Sequence, residues 1–276
     1  MIARMVKTRV RLDSAHVIIT GGSSGIGLST ARLLAARGAR VSLVARRRDL
    51  LEAAAEGLRS TGAMVAVRAA DVADQRAVAS ALAELEEEQG PCDILITSAG
   101  VARPGHFLEL PDDVFRQAME VNYFGTLHAI RAVVPGMVKR RCGSVVAVSS
   151  AAGLIGVFGY TAYASSKFAV GGLMEALRAE LRPHGVHTSI VYPPDVDTPL
   201  LAEEDQWKPD ETRAISGSIK PLQADTVAAA IVAGIERRKF VICPDLATRA
   251  LARFGSILAP LLNRTFDRQV DAVAEQ

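Results

Sequence analysis

The stretch Val17-Ile18-Ile19-Thr20-Gly21-Gly22-Ser23-Ser24-Gly25-Ile26-Gly27 joins a run of strand-forming residues to a glycine-rich turn and the start of a helix. A short, continuous apolar run of that kind reads as a strand buried on both faces. The glycines let the chain turn sharply and let another group approach the main chain closely. A helix that begins at such a turn presents unpaired N–H groups and a partial positive charge, which favour a pyrophosphate. Gly21, Ser23, Ser24, Gly25, Ile26 and Gly27 are the residues placed to receive it. Glycine is common in strand–helix turns for structural reasons alone, so the position of this turn in the first strand–helix unit gives it its weight. No Gly-Lys-Ser/Thr follows, which disfavours a P-loop nucleotidase.

The same rhythm continues outward from the turn. Strands are expected at 17–20, 40–45, 64–67, 93–97, 144–149, 187–192 and 240–243. Helices are expected at 26–37, 49–59, 74–89, 111–140 (kinked at Pro135-Gly136), 161–181 and 225–237. Apolar strands alternating with helices predict an α/β fold: a doubly wound parallel sheet of the Rossmann type, about seven strands, with helices on both faces. Residues 193–220 read as polar and loop-like. They are too long for an ordinary connection, which favours an active-site lid. The chain, 1–276, is expected to be one domain with a core at about 15–243, the lid, and a tail at 244–276.

Composition limits the alternatives. With 276 residues, 49% hydrophobic and 22% charged, the chain has enough apolar side chain to exclude disorder. Only 22 glycines, 12 prolines and 3 cysteines exclude collagen-like and disulfide-scaffold classes. Cys92, Cys142 and Cys243 show no metal-ligand spacing, so no metal is expected, and they point to a reducing, cytoplasmic compartment. A net charge of +2 offers no field to attract nucleic acid. Residues 1–14 are basic without an apolar core, so they read as no secretory signal, and no apolar run is long enough to span a membrane.

The second strand ends in Val44-Ala45-Arg46-Arg47-Arg48. An acidic residue there would accept a hydrogen bond from the ribose 2′-OH of NAD, whereas an arginine fork matches a 2′-phosphate. The reading is therefore NADPH/NADP, with Arg46 as its main contact and Arg47 or Arg48 assisting. Solvated surface arginines are the simpler alternative.

Tyr163-Ala164-Ser165-Ser166-Lys167 puts a phenol and an ammonium one helical turn apart on one face. A nearby cation lowers a phenol's pKa, and a phenol tuned toward neutrality can give a proton to an alkoxide. Ser150, thirteen positions before Tyr163, stands at a strand end where its hydroxyl can bond a carbonyl. Asn122 lies inside an apolar helical stretch, Met119 to Gly125, and needs partners for its amide. Singly, Ser150 is an ordinary strand-end hydroxyl and Asn122 a satisfied core amide; together with the turn they form a pattern.

That pattern resembles the short-chain dehydrogenase/reductase family over about residues 15–240. By that resemblance, Tyr163 is the general acid in carbonyl reduction and Ser150 orients the carbonyl. Lys167 holds the nicotinamide ribose and lowers the pKa of Tyr163, and Asn122 anchors a water for proton relay. The resemblance also implies that Asp71 and Val72 contact the adenine and that Ala99 and Gly100 permit close cofactor approach. Pro193, Val196 and Thr198 grip the carboxamide. Thr97-Ser98 stands where the family usually carries Asn-Asn or Asn-Cys, so the usual hydrogen bonds between strands must be made differently. The family assembles through the helices bearing Asn122 and Tyr163, which implies a homo-oligomer, dimer or tetramer.

A narrower likeness, to the 3-ketodihydrosphingosine reductases, lies in Val157-Phe158-Gly159-Tyr160-Thr161-Ala162-Tyr163 and in Tyr192-Pro193-Pro194-Asp195-Val196-Asp197-Thr198-Pro199, where most relatives carry Pro-Gly. It continues into the lid through Glu203-Glu204, Lys208-Pro209 and Glu211-Thr212-Arg213. It implies NADPH-dependent reduction of a lipid ketone, a long-chain 3-keto sphingoid base. A 3-oxoacyl or hydroxysteroid-type reductase is the alternative on the same tetrad, and a dinucleotide-sensing module without turnover is the non-enzyme alternative. Glu203, Glu204 and Asp205 match an amino group on such a lipid, although a solvated acidic loop is the preferred reading of them. Leu246 to Phe266 is amphipathic, kinked near Pro260 and rich in arginine, a pattern for peripheral membrane contact, for covering the pocket, or for meeting a partner subunit.

Overall fold

The computed structural model describes residues 10–217 and 220–274. The expectation about a secretory signal therefore falls largely on residues 1–9, outside the described residues. Residues 218–219 of the expected lid and 275–276 of the tail also lie outside them.

Six strands, β1 (His16–Thr20), β2 (Arg40–Ala45), β3 (Val65–Ala69), β4 (Ile94–Thr97), β5 (Gly143–Val148) and β6 (Val186–Val191), pair in parallel. A separate ladder joins β7 (Val196–Asp197) to β8 (Leu222–Gln223), and β9 (Val241–Ile242) closes the main sheet in the order β3-β2-β1-β4-β5-β6-β9. The helices are α1 (Gly25–Ala35), α2 (Arg48–Arg59), α3 (Gln75–Gln89), α4 (Asp112–Ala118), α5 (Gly125–Arg140), α6 (Thr161–Leu181), α7 (Pro199–Glu204), α8 (Asp210–Ser216), α9 (Ala224–Glu236) and α10 (Leu246–Ala274).

Successive side chains of a strand point to opposite faces, so each central strand feeds two cores. Ile18, Leu95 and Val145 pack with Val78, Ile130, Val133 and Val170 of α3, α5 and α6. Val17, Ile19, Ile96 and Val146 pack with Leu34, Leu51 and Ile231 of α1, α2 and α9. Each such side chain contributes about 1.5–3 kcal/mol by leaving water, which is why the strands read as unbroken apolar runs. The strand order reverses between β1 and β4, and a crevice opens outside the carboxyl ends of the strands at that point.

Three expectations are corrected. Residues 111–140 are not one helix kinked at Pro135: α5 runs through Pro135, and the break lies upstream. At Met119–Phe124 the chain makes one wide turn, in which the Gly125 N–H donates to the Glu120 carbonyl five residues back. Residues 193–220 are not loop-like but contain β7, α7 and α8. Thr198 starts α7, its hydroxyl accepting from the Leu201 N–H, with Pro199 at the first helical position, where its missing N–H costs nothing. The tail does not end its helical stretch near Phe266; α10 runs through Pro260 and on to Ala274. No helix among the described residues is long and apolar enough to cross a membrane.

Candidate active site

The turn after β1 is defined by what it excludes. Gly21, at φ +70°, lies so close to the β4 end that a side-chain carbon on it would stand 2.5 Å from the Ala99 amide nitrogen. Gly25, at φ +51°, would bring such a carbon 3.0 Å from Thr198 Cγ2. The turn, Ala99 and Thr198 therefore meet at the crevice. Ser24 precedes α1 in an extended conformation, makes no side-chain cap, and is followed by a first turn without an acid. The N–H groups at that helix end are left for an anion, and this cradle fits the pyrophosphate of a dinucleotide. At the end of β2, exposed Arg46 lies 3.7 Å from Asp71, so two residues expected at the cofactor meet each other. Arg47, also exposed, starts α2. Val72 is buried and Pro193 accepts a hydrogen bond from the Ala151 N–H at 2.8 Å. Val196 pairs with Leu222 in the β7–β8 ladder.

On the other wall, Ser150 lies just past the end of β5, where its hydroxyl accepts from the Ala152 N–H at 3.1 Å and acts on the neighbouring phenol of Tyr163 to lower its pKa. Lys167, one turn further along α6, is buried, lies 5.6 Å from the Tyr163 ring and donates to the Val148 carbonyl at 3.1 Å. A side-chain carbon at Gly100 would stand 3.2 Å from Asn122 Oδ1 and 3.6 Å from Lys167 Nζ, which brings these two groups together beside the segment after β4. The buried amide of Asn122 is satisfied by protein: its oxygen accepts from the Val101 N–H at 2.9 Å, and its nitrogen donates to the Val101 carbonyl and to Ser166. The wide turn at 119–124 carries that amide, a distortion often seen at functional sites. The amide thus anchors the segment after β4. Thr97, where the family usually has Asn, has no hydrogen-bond partner for its buried hydroxyl among the described residues, while the Ser98 N–H donates to the Thr20 carbonyl at 3.0 Å.

Burial brings the Lys167 ammonium down to about 8. Tyr163 does not follow the expectation of a lowered pKa. Burial holds its phenol above the ordinary value, and the charges of Glu204 and Asp195 push the same way against the Ser150 hydrogen bond. The phenol is thus kept protonated, the form that donates.

The source of that push is a charge network in the lid. Glu204 is not part of a solvated loop: its side chain is 9% exposed. The Tyr160 hydroxyl donates to it at 2.9 Å and Lys208 Nζ lies 3.4 Å away. Lys208 also contacts Asp205 at 2.5 Å and Asp195 at 4.0 Å. Burial alone lowers the Lys208 pKa, but the bond to Asp205 and the charges of Glu204 and Asp195 outweigh it and hold the ammonium above its ordinary value. Burial pushes the Glu204 carboxyl up to about 7 against Lys208 and Tyr160. Tyr160 and Tyr163 lie with ring centres 5.8 Å apart, so this network borders the reacting phenol. Glu203, by contrast, is exposed. Further contacts clasp the lid down: Arg103 over the Trp207 ring at 4.5 Å, His106 against Glu211 at 3.5 Å, and the Thr212 hydroxyl donating to the Phe158 carbonyl. Tyr160, Lys208 and Trp207 escaped the sequence reading as site residues. The Glu204–Lys208 spacing of four was the available signal; nothing in the sequence pointed to Tyr160 beyond its place in a resembling segment.

Comparison with known proteins then adds to this geometry. A model of the short chain dehydrogenase family matches residues 15–209. The chain is 41% identical over 238 residues to a 3-ketodihydrosphingosine reductase of Mus musculus, covering 84% of this chain and 72% of that one. Among solved structures, a short chain dehydrogenase/reductase from Burkholderia phymatum in complex with NAD matches with a TM-score of 0.82 at 26% identity, over 91% of this chain and 96% of that one. An actinorhodin polyketide ketoreductase variant with NADPH matches with a TM-score of 0.75 at 31% identity, over 81% and 91%.

Proposed function

The chain belongs to the short-chain dehydrogenase family, and from that premise we propose that it reduces a long-chain 3-keto sphingoid base, 3-ketodihydrosphingosine, to dihydrosphingosine with NADPH. It is an oxidoreductase acting on a ketone or hydroxyl group, using a nicotinamide dinucleotide. The observation that carries the substrate reading is the 41% identity to a reductase of that ketone across 84% of this chain. Bound at the glycine turn, the dinucleotide supplies the hydride. Tyr163 gives the proton to the developing alkoxide, and Ser150 holds the carbonyl oxygen by hydrogen bonding. Lys167 holds the nicotinamide ribose, and Asn122 positions the segment after β4 and a proton-relay water. Val72 and Asp71 face the adenine, and Thr198 with Val196 and Pro193 holds the carboxamide end.

Arg46 supports NADPH over NADH, because its fork presents donors to a 2′-phosphate once it leaves Asp71. The lid supports an aminated ketone: Asp195, Glu204 and Asp205 face a single ammonium, Lys208, in a partly buried setting. The exposed outer side of α10 carries Phe254, Ile257 and Leu261 with Arg253 and Arg264 nearby, which supports contact with an anionic membrane surface. Flotation with anionic liposomes, comparing the full chain with one ending near Pro244, tests that contact. Assembly through α5 and α6 is tested by light scattering.

The central test is spectrophotometric. NADPH oxidation is expected with 3-ketodihydrosphingosine, is expected to be slow with NADH, and is expected to fall by about 10²–10⁴ in Tyr163→Phe. Turnover of acetoacetyl thioesters without response to the sphingoid ketone would return the chain to the 3-oxoacyl reading. Indifference of the NADPH/NADH ratio to Arg46→Ala would remove the 2′-phosphate assignment.

A further inference from the structure

Two side chains that the tetrad leaves unexplained border the reacting phenol. The segment before α6 is fixed against its surroundings by its backbone: the Phe158 carbonyl accepts from the Thr212 hydroxyl of α8, and the Gly159 carbonyl from the Gly105 N–H, each at 2.9 Å. Gly159, at φ +79°, lies so close to α8 that a side-chain carbon on it would collide with that same hydroxyl. Tyr160 follows, 8% exposed, its carbonyl accepting from the Ala164 N–H at 2.7 Å as α6 begins. Three residues separate it from Tyr163, the spacing that brings side chains together on a helix, and the two ring centres are 5.8 Å apart. Its hydroxyl reaches the other way, to the buried carboxylate of Glu204 at the end of α7, at 2.9 Å. One aromatic ring therefore stands between that carboxylate and the proton donor.

The charges around this pair do not cancel. Lys208 lies 3.4 Å from Glu204, but the same ammonium also meets Asp205 at 2.5 Å and Asp195 at 4.0 Å. Lys167 faces the Tyr163 ring from the next turn of α6, and Ser150 acts on the phenol from beyond β5. His106 and Glu211 pair with each other. A buried carboxylate is screened little by solvent, so its charge carries to a neighbouring phenol.

We propose that Tyr160 and Glu204 are a positioning pair for Tyr163: the Tyr160 hydroxyl clamps the carboxylate beside the reacting phenol, and the carboxylate's charge sets the alkaline limit up to which that phenol keeps the proton it donates. The assignment rests on the reading of Tyr163 as proton donor, and both residues act through it. Glu204 titrates near 7, so it is charged above neutrality, where a phenol is exposed to losing its proton. Its push adds to that of burial and of Asp195, the more exposed of the two acids. The same charge makes the phenol a weaker acid, so the pair exchanges donor strength for a proton held over a wider range of pH.

Tyrosinate absorbance of the full chain, titrated with alkali, tests this without turnover. Subtracting the same titration in the Tyr163→Phe background leaves the signal of Tyr163. Glu204→Gln is expected to bring that titration down by about one pH unit. Tyr160→Phe, which keeps the ring and releases the carboxylate, is expected to bring it down about half as far. Glu204→Asp restores the charge and is expected to recover at least half of the shift. The alkaline limb of kcat/KM for ketone reduction with NADPH is expected to move down with the titration, and the acid limb of the reverse oxidation to move with it. A fall in kcat/KM with titration and limb both unmoved makes the pair merely structural and overturns the proposal. So does an equal shift in Glu204→Asp and Glu204→Gln, which takes charge out of the effect. Should Glu204→Gln not fold, Tyr160→Phe decides: an unmoved titration there overturns the clamp. A moved titration with an unmoved limb in an active protein also overturns the proposal, because Tyr163 is then not the donor. A moved titration in a protein that leaves 3-ketodihydrosphingosine unreduced supports the pair and removes the proposed substrate.

Discussion

The turn after β1 and the lid after β6 close over the same crevice, and they are held there by opposite means. The turn is held by exclusion: backbone at Gly21 lies so near Ala99 that there is no room for a side chain, and Gly25, at positive φ, lies close against the Thr198 side chain. The lid is held by polar contacts: Lys208 pairs with Asp205 and Asp195, while Glu204, whose ionised form burial disfavours, is anchored to the wall by the Tyr160 hydroxyl. A sterically fixed segment responds little to pH or salt. One fixed by carboxylates and an ammonium responds to both, because its attraction depends on protonation and screening. The division fits the two proposed ligands, a dinucleotide of fixed shape on one side and a long, flexible ketone on the other.

The comparison is sharpened or broken by four measurements. Tyr163→Phe removes the group that both segments serve, and kcat is expected to fall by about 10²–10⁴ with dinucleotide binding unchanged. The pH dependence of stability comes next. The Glu204 pKa of about 7 lies above its ordinary 4.5, so its contribution to stability is fully present below 4.5 and is lost as pH rises through 7. Urea unfolding is expected to show Glu204→Gln removing a fall of roughly 3 kcal/mol across that window. Overlapping pH profiles for the two proteins would place the lid under steric rather than electrostatic control. Gly25→Val is expected to raise the dinucleotide Kd at least tenfold, by strain at positive φ and collision with Thr198. Lys208→Met, the smallest effect, is expected to raise the KM for the ketone about three- to tenfold and to leave the dinucleotide Kd within twofold. Equal damage to dinucleotide binding from both substitutions breaks the division between the segments.

How much of this was legible follows the same line. The strands were readable because burial on both faces demands runs such as Val17-Ile18-Ile19, and the glycine turn because only glycine meets its geometry. Tyr163 and Lys167 were readable together because four residues of helix put them on one face of α6, and Ser150 because it follows directly on β5. The break at Met119–Phe124 was not, because it coincides with a tertiary attachment, the Asn122 amide to the Val101 backbone, that local propensity does not encode. The lid was misread as loop because its helices are only a turn or two long. Glu204 was misread as solvated because Tyr160, its hydrogen-bond partner, lies 44 positions earlier in the chain. The direction of the Tyr163 shift was misjudged because Lys167 is visible at i+4, whereas burial of the phenol, which dominates, and the smaller push from Glu204 and Asp195 come only with the folded chain.

Trp207, stacked under Arg103 on the lid, is the single tryptophan of the chain and is 49% exposed. Intrinsic emission therefore watches the lid and is nearly blind to the sheet. In a denaturant titration, fluorescence will report the release of a short charge-held segment, and far-ultraviolet dichroism the loss of the α/β core. The two midpoints are expected to separate, with fluorescence first. A single-probe fit would then assign to the whole molecule a stability that belongs to its doorway.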